Sequence, residues 1–131
     1  MLVLDENLPA SQRQLLRKWR IHVRAIGVDI AAPGSQDENL IPVLQKLAQP
    51  MFFTLDQHFF RADWAHASYG LAWLDVPDSE AAEFIRRFLR HPSFDTQSKR
   101  MGVVARVTST GVRFWRKGQP HLQGVMFEPS V

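Results

Sequence analysis

Leu2-Val3-Leu4-Asp5-Glu6-Asn7-Leu8-Pro9 decides how the chain is read. Three apolar residues make a short strand, and Asp5-Glu6-Asn7 closes it. Pro9 suits the first turn of a helix, where its missing N–H is not needed. Leu8, Leu15, Leu16 and Trp19 then fall at helical spacing, with Arg13, Arg17 and Lys18 elsewhere on the wheel. Strand, acid and helix in this order are the first half of a βα unit.

The same alternation continues downstream. Residues 21–26 alternate enough for a second strand, closed by Gly27, and a polar loop with Pro33-Gly34-Ser35 follows. Leu40, Ile41, Leu44, Leu47 and Ala48 mark a second helix. Pro42 is tolerated only near a helix start, because it lacks the N–H and crowds the preceding turn. The helix is therefore expected to begin close to Glu38 or Asn39, with Asp37 at or just before the cap. Met51-Phe52-Phe53-Thr54 reads as a buried strand, with Leu55-Asp56 at its carboxyl end. Residues 57–69 read as irregular or short-helical and rich in aromatics. Residues 70–74 make a fourth strand, and Pro77-Asp78-Ser79 caps a helix carrying Ala81, Ile85, Phe88 and Leu89 on one face. Residues 102–107 and 112–115 flank Thr108-Ser109-Thr110-Gly111 as a β-hairpin. The expected fold is α/β: a mostly parallel central sheet flanked by helices, with a C-terminal antiparallel hairpin.

The 131 residues make one domain, 1–131, on the length prior. Hydrophobic residues at 45% and charged residues at 22% exclude a disordered or fibrous chain. The absence of cysteine excludes a disulfide scaffold, a thiolate zinc site and a cysteine nucleophile. No apolar run approaches the ~18 residues of a membrane span. The start turns acidic too soon for a signal peptide, so a soluble, cytoplasmic domain without a membrane partner is expected. The net charge of +3 is unevenly placed. Residues 1–85 carry 7 Lys+Arg against 11 Asp+Glu, a net of −4, whereas residues 86–131 carry 9 against 2, a net of +7. An acidic front and a basic back suit a protein that holds cations in one place and phosphates nearby.

Asp5 follows the first strand, Asp37 and Glu38 open the second helix, and Asp56 follows the third strand. In an open parallel sheet the ligand crevice lies outside the carboxyl ends of the strands. Asp5 and Asp56 project onto one edge if their strands are neighbours, and the 37–38 pair joins them if its helix starts there. Carboxylates crowded in this way repel, so they share a site only with a cation or a proton. Mg²⁺ or Mn²⁺ fits such oxygen ligands, and such ions promote in-line phosphodiester displacement. Taken singly, each acid is also explained by capping and by the helix dipole.

The opening L-V-L-D-E-N-L-P, the helix ending in R-K-W-R-I-H-V, S-Q-D-E-N-L, F-F-T-L-D-Q-H-F, G-L-A-W-L-D-V-P and the basic hairpin, taken together, resemble the small PIN-like family. That family is related to PIN-domain nucleases and to VapC-type toxins. The resemblance runs over nearly the whole chain, and its most specific piece is D-E-N-L-P paired with the T-x-D strand end. It implies a PIN-like fold, a divalent-metal site of acidic residues, RNA cleavage, and, for a toxin, an antitoxin partner. By position it makes Asp5, Asp37 and Asp56 catalytic, and Asp5, Asp37, Glu38 and Asp56 the ligands of Mg²⁺ or Mn²⁺. Family members often read T-x-D-x-D-F where this chain has T-L-D-Q-H-F. His58 therefore stands in place of a second acid, as a ligand or a residue orienting water, and an imidazole there favours Mn²⁺ over Mg²⁺.

Arg61, Arg106, Arg113 and Arg116 are the candidate RNA contacts, and binding through them would fall steeply with salt. Phe59, Phe60, Trp64 and Tyr69 could stack on bases, but core burial accounts for them more simply. Two other functions stay open. One is a PIN-like module that has lost catalysis and binds RNA or a protein partner, as His58 and Pro42 suggest. The other is a phospho-receiver with Asp56 as phosphoacceptor, weakened by a hairpin where a fifth parallel strand followed by lysine belongs. The sequence leaves a homodimer open.

Overall fold

The computed structural model describes residues 1–30 and 37–128. The expected loop at Pro33-Gly34-Ser35 lies outside the described residues. Among the described residues seven strands form one sheet: β1 (Leu2–Leu4), β2 (Arg24–Ala25), β3 (Met51–Thr54), β4 (Gly70–Leu74), β5 (Val103–Val107), β6 (Gly111–Arg116) and β7 (Gln123–Met126). Their order is β2-β1-β3-β4-β5-β6-β7. The first five are parallel to one another, and β6 and β7 are antiparallel additions. Among the described residues the α-helices are α1 (Ala10–Lys18), α2 (Asp37–Gln45), α3 (Ala81–Arg90) and the single turn α4 (Gln97–Arg100).

The mostly parallel α/β sheet with its C-terminal hairpin is thus present, with three corrections. The second strand is two residues long rather than six, because β1 offers it only Val3 and Leu4 as partners. The hairpin extends into a third antiparallel strand, β7, which pairs β6 from Gly111–Met126 to Phe114–Gln123. The hairpin also does not displace a fifth parallel strand. β5 pairs β4 in parallel on one side and starts the hairpin on the other.

Strand alternation divides the core into two layers. Leu4, Phe53, Ala72 and Ala105 face one way and pack under α1 and α3 with Leu16, Ile85 and Phe88. Val3, Phe52, Leu71 and Val104 face the other way and pack with Leu40 and Leu44 of α2 and with Phe59. Cover on both faces explains why β3 reads as an unbroken apolar run. α1 is tied to α3 by the buried Gln12, whose Oε1 accepts the Ala82 N–H at 2.9 Å. That bond satisfies a donor that the first turn of α3 leaves open. Arg86 of α3 also lies over the Trp19 ring at 3.8 Å.

α2 begins at Asp37 itself, so Pro42 is its sixth residue and lies in the interior rather than the first turn. Residues 57–69 form two short 3-10 turns, Gln57–Phe59 and Ala62–Trp64, as expected of an irregular segment. Phe59 and Tyr69 are buried, whereas Phe60 and Trp64 are half-buried.

Candidate functional site

The strand order 2-1-3-4-5 reverses direction of growth between β1 and β3, and open α/β sheets bind ligands at that switch point, beyond the carboxyl ends of the strands. Asp5 follows β1 there. Its N–H donates to the Phe53 carbonyl at 2.9 Å, which continues the β1–β3 ladder by one residue and brings its side chain beside Thr54. The Thr54 hydroxyl donates to Asp5 Oδ2 at 2.7 Å. The same oxygen accepts the Asp56 N–H at 3.0 Å and the Asn7 side-chain amide at 3.3 Å. Thr54 therefore uses its one donor and both lone pairs. Asn7 closes the ring by accepting the Leu55 N–H at 3.3 Å.

Asp5 is 7% exposed and Thr54 is fully buried. Burial pushes the Asp5 carboxyl above the ordinary aspartate range. The bonds from Thr54 and from the Glu6 N–H pull it back, while the charges of Glu6 and Asp56 push it up again. Asp5 thus feels the charge of a carboxylate 51 positions away at one sheet edge. Asp56 Oδ1 accepts the His58 N–H at 2.9 Å and so starts the 3-10 turn at Gln57. The His58 ring stands edge-on to Trp64, with centroids 5.3 Å apart.

Asp37 and Glu38 are the first two residues of α2. β2 leaves the sheet at the carboxyl edge and β3 enters at the amino edge, so α2 runs back with these two residues on the carboxyl side. Their side chains lie outside the described set. Among the described residues, no three His, Cys, Asp or Glu side chains stand close enough together to hold a metal ion.

Sequence reasoning missed a further acid. Asp75 follows β4 as Asp5 follows β1, and the Leu74-Asp75 step was the available signal. Its Oδ2 accepts from Arg106 Nε at 3.0 Å and from Arg106 Nη2 at 2.7 Å. A cavity of about 290 Å³ opens between the ends of β3 and β4, with Asp56, Asp75, Asp78 and Trp73 in its walls.

The four candidate arginines do not share one surface. Arg61 is ion-paired with Asp63 at 3.1 Å and stacks over Trp64. Arg106 and Arg113 are direct partners across the β5–β6 pair. Arg116 points to the opposite face, where it donates to the Lys99 and Ser93 carbonyls and lies over Phe114. The described helices include none long and apolar enough to cross a membrane.

No family model, curated protein or solved structure matches this chain.

Proposed function

We propose that the chain is a PIN-like, divalent-metal-dependent endoribonuclease whose site is the carboxyl edge of β1 and β3. The observation that carries this reading is the Thr54 hydroxyl at the sheet's switch point, which donates to the Asp5 carboxylate and accepts the Asp56 backbone N–H. The donors there are oxygens, and Mg²⁺ takes one or two carboxylates with water and substrate phosphate completing its shell. Asp5 and Asp56 would hold Mg²⁺ or Mn²⁺, joined by Asp37 and Glu38 from the start of α2. Such an ion, when bound, acidifies a water and neutralises phosphate oxygens.

The chain's own residues do the rest. Thr54 fixes the rotamer of Asp5. Asp56 is held by the turn it caps, which also sets His58 beside it to orient water. Arg61, Arg106 and Arg113 would meet the phosphates of the RNA. As a toxin, the chain would pair with an antitoxin protein that covers this edge. The test is cleavage of single-stranded RNA with Mn²⁺ and with Mg²⁺. Asp5→Ala and Asp56→Ala are expected to lower the rate at least tenfold, and equal cleavage by wild type and both variants would remove the assignment.

A second reading is a PIN-like module without catalysis that binds RNA or a protein. It is favoured by the engagement of both Asp5 oxygens, one accepting from the Thr54 hydroxyl and the other from the Glu6 N–H. Titration calorimetry separates the two: no heat at millimolar Mn²⁺, together with salt-sensitive RNA binding, selects the second. The strand order is also that of receiver domains. However, Thr108 follows β5 where a receiver carries lysine, so a phosphoryl group on Asp56 would lack its counter-cation.

A further inference from the structure

One row of side chains crosses the sheet on the α2 face. Register places Thr54 beside Trp73, Trp73 beside Arg106, Arg106 beside Arg113 and Arg113 beside Gly124, and Asp5 bonds to Thr54 at the other end. The buried cluster on this face includes Phe52, Leu71 and Val104 but none of that row. Trp73, Arg106 and Trp115 are half-buried, Phe60 and Trp115 pack against that cluster, and Arg113 is exposed.

The patch has the chemistry of a stacking platform. Phe60 bridges two indoles, with its centroid 4.6 Å from Trp115 and 5.9 Å from Trp73. Arg106 lies 5.1 Å over the Trp73 ring. Two arginines directly opposite on neighbouring strands repel. Asp75 neutralises Arg106, but Arg113 has no ion-pair partner among the described residues. Arg106, Arg113 and Trp115 of this surface come from the basic stretch, residues 86–131.

We propose that this face binds single-stranded RNA, with bases stacked on Trp115, Phe60 and Trp73 and the backbone held by Arg113 and Arg106. The inference rests on the RNA reading above and extends it. Trp73 is both a platform residue and a wall of the cavity that Asp56 lines, so a strand on the platform leads into the acidic edge. Aromatic faces take any unpaired base, whereas a duplex hides its bases from them.

The test uses the whole chain with EDTA present, so that binding is read apart from cleavage. Anisotropy of a labelled ten-nucleotide RNA is followed between 50 and 200 mM NaCl. Trp115→Ala is expected to weaken binding about tenfold, with Trp115→Phe restoring most of it, since loss of one stacked base costs roughly five- to hundredfold. Arg113→Ala, at an exposed position, is expected to lower the slope of log K against log salt by about 0.7, the share of one phosphate on a single strand. A duplex of equal length should bind at least tenfold more weakly. Equal binding by wild type, Trp115→Ala and Arg113→Ala, or by duplex and single strand, overturns the proposal. So does a wild type that binds no RNA, including one that instead self-associates through this face in sedimentation. The two readings fail separately. RNA bound through these residues but left uncut with Mn²⁺ removes the nuclease reading alone. Cleavage that depends on Asp5 but is indifferent to Trp115 and Arg113 removes the platform alone.

Discussion

Thr54 and Asp5 face each other across the β1–β3 seam, and a 2.7 Å hydrogen bond between them joins two buried polar side chains to the chain's acidic edge. Thr54→Val keeps the shape and removes the hydroxyl. It leaves the Asp5 carboxylate, the Asp56 N–H and the Asn7 amide each short of a partner. A buried group left unpaired costs about 1–3 kcal/mol, so urea denaturation should show a loss of that order, with Thr54→Ser close to wild type. Equal midpoints for Thr54→Val and wild type would show that the bond contributes nothing.

Asp5 gives stability an unusual sign with pH. Its folded carboxyl, raised by burial, keeps a proton to higher pH than the ordinary value of 3.8. Its favourable contribution is therefore complete below 3.8 and is lost as pH rises through the folded value. Asp5→Asn should remove that part of the pH dependence, read from denaturation midpoints between pH 3 and 7. On the nuclease reading, Mg²⁺ should also move the Asp5 titration, followed by carboxyl-carbon NMR, to lower pH.

Glu83 runs the other way. Burial raises its carboxyl, but the bonds from Arg87 and Arg86 outweigh burial and hold it below its ordinary 4.5. Its contribution is present above that value and disappears as pH falls through the folded one. Glu83→Gln should flatten the acid limb of the same denaturation series, and an unchanged limb would contradict this.

Gln12→Leu fills the same space in α1 but cannot accept the Ala82 N–H. The buried donor at the start of α3 is then orphaned, and a loss of about 1–2 kcal/mol is expected. Gln12→Glu, which keeps an acceptor, should lose less when the two are compared by chemical denaturation. The reverse order would dismiss the link between the helices.

Gly70→Ala tests the close passage of β4 by the segment before β5. A Cβ at this position would collide with the Arg100 carbonyl oxygen and with Met51 Sδ. Methionine can move, but a backbone carbonyl in the chain entering β5 cannot do so cheaply. A loss of about 1–3 kcal/mol is expected from such overpacking, and a wild-type melting temperature would show that α4 shifts freely.

Much of the scaffold is legible because β1, β3 and β4 are apolar runs bounded by Asp, Pro and Gly, and α3 repeats its apolar residues at helical spacing. β7 was hidden because Gln123-Gly124-Val125-Met126 has one β-branched residue and a glycine, so only pairing with β6 makes it a strand. Residues 21–26 look like a full strand because Ile21, Val23 and Ile26 serve the core, yet the ladder holds only Arg24 and Ala25 in register with the short β1. In the site, Asp5 and Asp56 could be placed from their strand ends. Asp75 could have been found by the same rule, but its neighbours Pro77-Asp78-Ser79 read as a cap of α3, whereas Asp78–Glu80 form a 3-10 turn of their own and Glu80 stands at the α3 N-cap. The division of the arginines between faces depends on the parity of positions 113 and 116, which is fixed only once the register of β6 is known.

The β1–β3 seam also governs when the acidic edge comes into being. β5, β6 and β7 follow one another through short reversals, so they can pair as soon as they are made, whereas Asp5 must find Thr54 across nearly fifty residues of intervening chain. Until that long loop closes, the acidic groups are strangers on a flexible polymer. A nascent or partly opened chain therefore lacks the Asp5–Thr54 junction, which belongs to the finished fold alone.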